Sequence, residues 1–339
     1  MRYVEEQLWT PLSESLLGWD DAFHDLMLND ELRMKAYRKA IFEAVRPGDH
    51  VVDLGTGTGI LSQWALDAGA ARVTGIEMNA DILALAVKRL NDAGYRDRFV
   101  PVNQLSYDVE LEAPADVLVS EIIGNMADNE NFQPILEDAI RRFLKPQGTI
   151  LPRSVSSYLV PVAAARSHRD LCTGRVASLT PHYDIAQLYQ QRGIRSAFDL
   201  YYDCILPQEL YLSEPQQLCR YDGNWDQPST YTHQRSFVLQ ADGQFSGFKS
   251  YFVAELTAET ILDISGGDVS AGTTSDSWKH AYLPIASPIA IQRGDVLDVT
   301  FSRRYPKQTG SSFQQVYSWQ GTISRQGQII GEFAQRMGE

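Results

Sequence analysis

The stretch that decides the fold is HVVDLGTGTGIL, residues 50–61. Its first five residues form an apolar run that is typical of a strand buried on both faces. The glycines that follow, Gly55, Gly57 and Gly59, let the backbone turn tightly into a predicted helix. Unpaired N–H groups at the beginning of such a helix favour the close approach of a ligand. The stretch therefore predicts a strand, a ligand-binding turn and a helix.

The chain around this stretch alternates between predicted strands and helices up to residue 151. Further apolar runs suited to buried strands occur at residues 72–77, 98–102 and 115–120, with amphipathic helical segments between them. Alternation of this kind is typical of a parallel, doubly wound α/β sheet, in which ligands bind at the carboxyl ends of the strands. We therefore expect a Rossmann-like domain.

The chain beyond Pro152 has a different character. Its apolar runs are rich in β-branched and aromatic residues, alternate partly with polar ones, and are separated by Gly, Pro, Asp and Ser. This pattern predicts an antiparallel barrel or sandwich, and a less regular stretch from about residue 178 to 222 is either an insertion or an arm. The expected regions are N-terminal helices (1–44), the Rossmann-like domain (45–151) and the β-rich domain (152–339), with the irregular stretch centred near 180–215.

Composition excludes several classes of protein. The 43 acidic and 30 basic residues of the 339 give a formal charge of −13, which disfavours nucleic acid as a partner and suits a cationic ligand. The three cysteines lack C-x-x-C spacing and no apolar stretch reaches the length of a membrane span. The six histidines show no metal-ligand spacing. We expect a cytoplasmic protein without a metal site or a membrane partner.

Acidic residues on both sides of the glycines indicate the kind of ligand. Glu77 ends the next predicted strand, 22 residues after Gly55, which suits hydrogen bonds to a ribose diol. Asp53 begins a D-x-G-x-G-x-G pattern instead of the dinucleotide G-x-G-x-x-G, and its carboxylate would repel a pyrophosphate but attract an α-ammonium group. The loop looks like motif I of class I methyltransferases, which implies S-adenosyl-L-methionine bound by Asp53, Gly55, Gly57, Gly59 and Glu77. A nicotinamide-dependent oxidoreductase is the alternative.

Two glutamates indicate the acceptor. Glu121 follows the predicted strand 115–120, and Glu130 lies nine residues further on, beyond Gly124. A guanidinium is always protonated, and at about 4 Å from a sulfonium the two positive charges repel by roughly 4 kcal/mol at an effective dielectric constant near 20. Two carboxylates gripping the planar fork would offset that repulsion and orient one nitrogen. The alternative is one carboxylate at a strand end and one solvated carboxylate near a helix start.

With these residues, the sequence resembles the protein arginine N-methyltransferase family over nearly the whole chain. The segment from Ser120 to Glu130 matches the family's S-E-x-x-G-x-x-x-x-x-E loop, which implies that Glu121 and Glu130 are catalytic. The segment from His24 to Arg33 is similar to the family helix that covers the cofactor. By that resemblance His24 lines the cofactor pocket and Arg33 binds the carboxylate of the methyl donor.

The resemblance also implies further site residues and an assembly. Leu105 and Ser106 would contact the adenine through their backbone, and Met27 would lie near the substrate. Trp278, in a loop similar to the family's Thr-His-Trp loop, would pack against the guanidinium, since an aromatic face suits a flat cation. Family members dimerise through an arm inserted in the barrel, so we expect a homodimer.

The chain also departs from the family pattern. The family's N-terminal Tyr-Phe-x-x-Tyr element has no match before His24, and Ser277 stands where most members have histidine. Met27 resembles members that form asymmetric dimethylarginine, whereas Ser277 resembles the symmetric class. The acceptor is therefore an arginine in a protein or peptide, or a small guanidino metabolite. A non-catalytic scaffold is a further hypothesis of a different class.

Overall fold

A computed structural model of the protein describes residues 4–14, 21–178, 184–223, 225–305 and 315–338, apart from the side chains of residues 21–24. No helix in these ranges is long and apolar enough to cross a membrane.

The first large unit is a five-stranded parallel sheet. Its strands lie in the order β3-β2-β1-β4-β5. Their bounds are β1 His50–Leu54, β2 Arg72–Ile76, β3 Phe99–Val102, β4 Ala115–Ser120 and β5 Leu144–Leu151. In-register pairing of β1 with both β2 and β4 brings the carboxyl ends of these three strands to one edge. The predicted Rossmann-like arrangement is confirmed, and strand β5 is an addition to the predicted strands.

Four helices cover this sheet. They are α2 Glu31–Ala44, α3 Ile60–Asp67, α4 Ala80–Asp92 and α5 Phe132–Phe143. Local capping fixes where two of them begin: the Asp30 side chain accepts a hydrogen bond from the Arg33 N–H, and the Asn79 side chain accepts from the Asp81 N–H. Asp30 and Asn79 therefore begin the two helices that carry residues of the cavity described below.

The second unit consists of two antiparallel sheets. One has the order β7-β12-β10-β6-β8, with β11 paired to β10, and the other has the order β15-β14-β13-β9. Their bounds are β6 Ser154–Val162, β7 Tyr202–Cys204, β8 Gln216–Asp222, β9 Tyr231–Val238, β10 Gly243–Glu255, β11 Ile261–Asp263, β12 His280–Ile291, β13 Val296–Arg304, β14 Val316–Arg325 and β15 Gln328–Arg336. Phe245 and Phe248 of one sheet contact Phe333 of the other, with ring centroids 5.4 and 5.8 Å apart. Both sheets therefore share one aromatic core.

The remaining helices and the first residues connect the two units. The helices are α1 Asp21–Leu28, α6 Ala165–Cys172 and α7 Ile185–Arg192. The N-terminal residues do not all cover the parallel sheet, because Trp9 pairs with Asp203 of β7: its N–H donates to the Asp203 carbonyl at 2.8 Å and its carbonyl accepts at 3.1 Å. Residues 4–14 thus run along the antiparallel unit. The segment expected to form an arm contains α7 and β7, and part of it (179–183) lies outside the described residues.

Candidate active site

A cavity of about 1220 Å³ lies at the carboxyl edge of the parallel sheet. One part of its wall, which we name the glycine end, contains Gly55, Gly57, Glu77, Leu105 and Ser106. The opposite part, which we name the glutamate end, contains Glu121, Glu130, Trp278, Ser13 and Asp203. One continuous cavity therefore joins the glycine loop to the two glutamates.

The glycine end is built mainly from backbone. Gly55 and Gly57 have φ angles of 73° and 52°, in the left-handed region that favours glycine. A Cβ at Gly57 would project into open space, since its nearest neighbour would be the Gly55 carbonyl at 4.0 Å. The Glu77 carboxylate accepts hydrogen bonds from the N–H groups of Gly57 at 3.2 Å and Asn79 at 2.9 Å, which hold it at the wall. The arrangement leaves room and hydrogen-bonding groups for a nucleoside.

Two residues expected to bind the cofactor lie behind the wall. The buried Asp53 carboxylate accepts through Oδ2 from the hydroxyls of Thr56 at 2.7 Å and Ser62 at 2.6 Å. Burial raises the Asp53 pKa to about 6. Gly59 contacts α4, where a Cβ would lie 2.7 Å from Leu90 Cδ2. The structure therefore gives Asp53 and Gly59 roles in shaping the turn and packing the helices, since neither lines the described cavity.

The other expected cofactor and substrate residues of this region lie as follows. Leu105, Ser106 and Met27 all line the cavity. The Ser106 carbonyl accepts a hydrogen bond from Arg142 Nη2 at 2.6 Å, so this backbone group is already used within the protein. His24 lies in α1, and its side chain is outside the described residues.

At the glutamate end, Glu121 is paired with an arginine of the protein itself. The Glu121 carboxylate contacts the Arg33 guanidinium and accepts from the Ile123 N–H at 3.3 Å, with 6% of its side chain exposed. The Arg33 guanidinium carbon lies 5.2 Å from the ring centroid of Trp278, within the range of a cation–π interaction. The Trp278 Nε1–H donates to the Ile123 carbonyl at 2.6 Å, which fixes the ring. The guanidinium of Arg33 therefore occupies the place beside Glu121 and Trp278 that the sequence predicts for an acceptor.

Glu130 lines the same cavity and is the more strongly perturbed of the two glutamates. Its Oε1 accepts from the Ser13 hydroxyl at 2.8 Å. Burial and, next, the Glu121 carboxylate raise the Glu130 pKa to about 8. Burial also raises the pKa of Glu121, although Arg33 partly opposes that shift. Two carboxyl groups that resist ionisation together form a site that favours a cationic ligand.

The loop between the glutamates is folded tightly at Gly124. The N–H of Gly124 donates to the Ala127 carbonyl at 3.0 Å, and the Ala127 N–H donates back to Gly124 at 2.8 Å. A Cβ at Gly124 would lie 2.0 Å from the side-chain oxygen of Asn129 and 3.0 Å from the backbone nitrogen of Glu130. Only glycine permits this close approach, which turns Glu130 back toward Glu121.

Asp128 fastens the same loop to the antiparallel unit. Its carboxylate accepts from the hydroxyls of Tyr221 at 2.6 Å, Tyr231 at 2.9 Å and Tyr317 at 2.6 Å. Arg303 lies with its Nε 3.6 Å from the carboxylate, and the exposed fractions of the two side chains are 0% and 1%. Arg303 also donates to the Asp128 carbonyl at 2.8 Å. We name Asp128, its three tyrosines and Arg303 the Asp128 cluster; it holds the segment that carries Glu130.

Several site residues were not found by the sequence analysis. Ser13 comes from the N-terminal segment, and Asp203 comes from β7, where its carboxylate accepts from the Leu12 N–H at 3.0 Å and from Asn125 Nδ2 at 2.8 Å. Burial raises the Asp203 pKa to about 7. No local motif marks Ser13 or Asp203, because their positions depend on pairing between distant segments. Ser277, which the sequence analysis does name, donates to Asp30 Oδ2 at 2.7 Å and connects the Trp278 loop to the start of α2.

Known proteins resemble this chain in both of its large units. Residues 51–148 match the family model of a methyltransferase domain, and residues 154–319 match the model described as the PRMT5 oligomerisation domain. A probable protein arginine N-methyltransferase 6.2 of Oryza sativa subsp. indica is 35% identical over 149 residues, 43% of this chain and 38% of the relative. The ribosomal protein arginine N-methyltransferase rmt3 of Schizosaccharomyces pombe is 25% identical over 302 residues, 85% of this chain and 54% of the relative. These matches support the resemblance of the chain to the protein arginine N-methyltransferase family.

The matches cover different shares of the relatives. The chain spans 38% of the length of the rice relative and 54% of the length of the fission-yeast relative. It spans 74% of an arginine N(omega)-methyltransferase of Streptomyces achromogenes subsp. streptozoticus, at 26% identity over 293 residues, which are 81% of this chain. The methyltransferase match over 51–148 favours the methyl-donor interpretation of the glycine loop over the nicotinamide one.

Solved structures of family members share the fold. Arabidopsis thaliana protein arginine methyltransferase 10 has a TM-score of 0.77 at 17% identity, covering 92% of this chain and 97% of its own. The Trypanosoma brucei PRMT1 enzyme-prozyme heterotetrameric complex with AdoHcy has a TM-score of 0.75 at 18% identity, covering 96% and 99%. The predicted fold class, a Rossmann-like domain followed by a β-barrel, is thereby confirmed.

Proposed function

We propose that this protein is an S-adenosyl-L-methionine-dependent N-methyltransferase that acts on the guanidino group of arginine. The observation that carries the proposal is the placement of Glu121, Glu130 and Trp278 at one end of a cavity whose other end is the glycine loop with Glu77. Curated relatives of this chain are named arginine methyltransferases, which supports the same chemistry.

The glycine end fits the methyl donor. The space beside Gly57 that a Cβ would occupy suits a ligand lying against the backbone. Glu77 would hold the ribose hydroxyls, and the backbone at Leu105 and Ser106 would face the adenine. Arg33, which contacts Glu121 in the structure, would turn to the donor's carboxylate and leave Glu121 to the acceptor. The donor supplies a methyl group on a positively charged sulfur.

The two glutamates would make attack by a guanidinium possible. The guanidinium stays protonated at neutral pH, so electrostatic repulsion from a nearby sulfonium opposes its approach. Two charge-assisted pairs, to Glu121 and Glu130, offset that repulsion and fix the plane of the fork. The carboxylates also draw positive charge away from one terminal nitrogen and orient it along the cavity.

The proton balance gives Glu130 a second role. When a guanidino nitrogen forms a bond to a methyl group, it must lose one proton to remain a monocation. Burial and Glu121 raise the pKa of Glu130 to about 8, so its carboxylate has the affinity to accept a proton at neutral pH. Glu130 is therefore the group to which we assign the proton.

The proposal is tested with Glu121→Gln and Glu130→Gln. Each change keeps the side-chain volume and removes one charge from the guanidinium site, so kcat/KM for a guanidino acceptor should fall about 10²- to 10³-fold. Transfer from isotope-labelled donor measures the rate, and calorimetry with S-adenosylhomocysteine measures donor affinity, which should stay within about threefold.

The matched control is Glu110→Gln, which changes an exposed glutamate of the same domain. Near-wild-type transfer by both glutamate variants on every guanidino acceptor would contradict the mechanism. Donor binding by the wild-type protein without transfer to any guanidino acceptor would instead support the scaffold hypothesis.

Assembly and location remain predictions. The match of residues 154–319 to a domain described as an oligomerisation domain supports the proposed homodimer. Cys172, Cys204 and Cys219 are free thiols, which supports a reducing compartment such as the cytoplasm.

A further inference from the structure

The glutamate end continues past Glu130 to a wall made by two segments outside the parallel sheet. These are the N-terminal residues 10–14 and helix α7. Pairing of Trp9 with Asp203 fixes the first segment, and the Leu12 N–H donates to the Asp203 carboxylate at 3.0 Å. The chain itself therefore supplies a wall at the place where the backbone of an acceptor would lie.

This wall contains a buried ion pair. Arg192 of α7 donates from Nε to Glu14 Oε2 at 2.7 Å, and its Nη2 contacts the same oxygen. Tyr201 donates its hydroxyl proton to Glu14 Oε1 at 2.8 Å. The side chains of Arg192 and Glu14 are only 12% and 0% exposed. Because the cost of desolvating two charges commonly cancels their attraction, such a pair adds little to stability by itself.

Short hydrogen-bonded paths connect the ion pair to Glu130. Ser13, the residue before Glu14, donates to Glu130 at 2.8 Å. On the other side, Asn129 Nδ2 donates to the Tyr201 hydroxyl at 3.2 Å, and Tyr201 in turn donates to Glu14. An extended arginine side chain spans about 6 Å from its α-carbon to its guanidinium carbon. The α-carbon of an acceptor whose guanidinium binds Glu130 would lie about 6 Å from that site, a reach that suits the wall containing Arg192 and Glu14.

We propose, on the basis of the function proposed above, that the acceptor is a free guanidino α-amino acid of the L-arginine type. Arg192 binds its α-carboxylate through the planar guanidinium fork, and Glu14 binds its α-ammonium group. An arginine within a polypeptide has neither charge, since both groups are in amide bonds, so it would form neither contact and would leave Arg192 and Glu14 paired only with each other. The cavity volume of 1220 Å³ accommodates a small acceptor next to the donor.

The first experiment compares acceptors with the wild-type enzyme and needs no variant. Labelled donor is offered with L-arginine, agmatine, Nα-acetyl-L-arginine and an arginine-containing peptide. Agmatine lacks the carboxylate and the acetylated compound lacks the ammonium charge. Because a site built to bind a polar group rejects analogues without it, kcat/KM for L-arginine should exceed each of the other three by at least about 100-fold. A peptide or agmatine within about threefold of L-arginine would overturn the proposal.

The second experiment replaces Arg192. Arg192→Met keeps the volume and removes the charge, so the preference for L-arginine over agmatine should collapse to within about threefold. The matched control is Arg195→Met, which removes an exposed charge close to the same helix and should retain the preference. Arg192→Lys keeps the charge but not the fork, and should show an intermediate preference. Thermal unfolding and S-adenosylhomocysteine binding confirm that the variants are folded.

The outcomes separate this inference from the proposed function. Transfer to the peptide but not to L-arginine would overturn the free amino acid as acceptor and leave guanidino methylation in place. A retained L-arginine preference in folded Arg192→Met would overturn the role of Arg192. Donor binding without transfer to any of the four acceptors would overturn the function itself.

Discussion

The two ends of the cavity are assembled in opposite ways. The glycine end comes from the carboxyl ends of neighbouring strands β1, β2 and β3 and uses backbone groups at Gly55 and Gly57. The glutamate end uses side chains from distant parts of the chain, such as Ser13, Glu130 and Trp278. One end therefore forms with the parallel sheet, whereas the other exists only after the antiparallel unit and the N-terminal segment have packed against it.

We expect the largest difference between the two ends of the cavity when the Asp128 cluster is disrupted. Asp128→Asn leaves the fully buried Arg303 guanidinium without a carboxylate, so the free energy of unfolding should fall by about 3 to 5 kcal/mol. Because the glutamate loop loses its anchor, kcat/KM for the acceptor should fall while donor affinity stays within about threefold. Denaturant unfolding, transfer assays and calorimetry measure the three quantities.

Two further variants make that prediction decisive. Tyr317→Phe removes one hydrogen bond to Asp128 and should lower the free energy of unfolding by about 1 kcal/mol. Asp298→Asn makes the same charge change at an exposed position of β13 and should be neutral. An equal loss of donor and acceptor binding in folded Tyr317→Phe would show that the two ends are not independent.

A change at the glycine end should show the reverse selectivity. Glu77→Ala removes the carboxylate that would bind the ribose hydroxyls, so the donor Kd should rise about 10- to 100-fold. The KM of the acceptor at saturating donor should stay within about threefold. Glu110→Ala, an exposed glutamate of the same domain, serves as the control. If the acceptor KM rises in parallel with the donor Kd, the two ends of the cavity do not bind their ligands independently.

The last prediction is a pH dependence confined to the glutamate end. Glu130 must be ionised to hold a guanidinium, and its pKa is raised to about 8 by burial and Glu121. Because the guanidinium keeps its proton throughout this range, kcat/KM for the acceptor should rise about tenfold per pH unit below the pKa and level off above about pH 9. Glu130→Gln should abolish the slope. A flat wild-type profile from about pH 6 to 9 would contradict the prediction.

The sequence predicts the parallel sheet well because its signals are local. The strands at 50–54 and 115–120 have the predicted bounds, since each is an apolar run ended by a turn or a loop. Strands β7, β8 and β15 were not predicted, because their pairing partners lie far away in sequence and their composition is mixed. Their existence depends on tertiary packing more than on intrinsic preference.

The same distinction applies to the site. The sequence predicts Glu121, Glu130 and Glu77 because each belongs to a motif within one strand and the loop that follows it. Arg192 and Asp203 are not readable, since each becomes a site residue through contacts with the N-terminal segment. Asp53 shows a further limit: its place in the motif suggests a ligand, yet the structure uses its Oδ2 to accept from Thr56 and Ser62.

The contacts of Asp128 with four strands of the antiparallel unit bear on how the molecule melts. Those contacts are joined by the hydrogen bonds from Thr257 and Thr260 to Glu43 of α2, at 2.5 and 2.8 Å. If either unit unfolds, the other keeps a buried charged group, Asp128 or Arg303, that has lost its partner. The change of composition near Pro152 therefore separates two architectures but not two cooperative units, and the whole protein should unfold as a single thermodynamic unit.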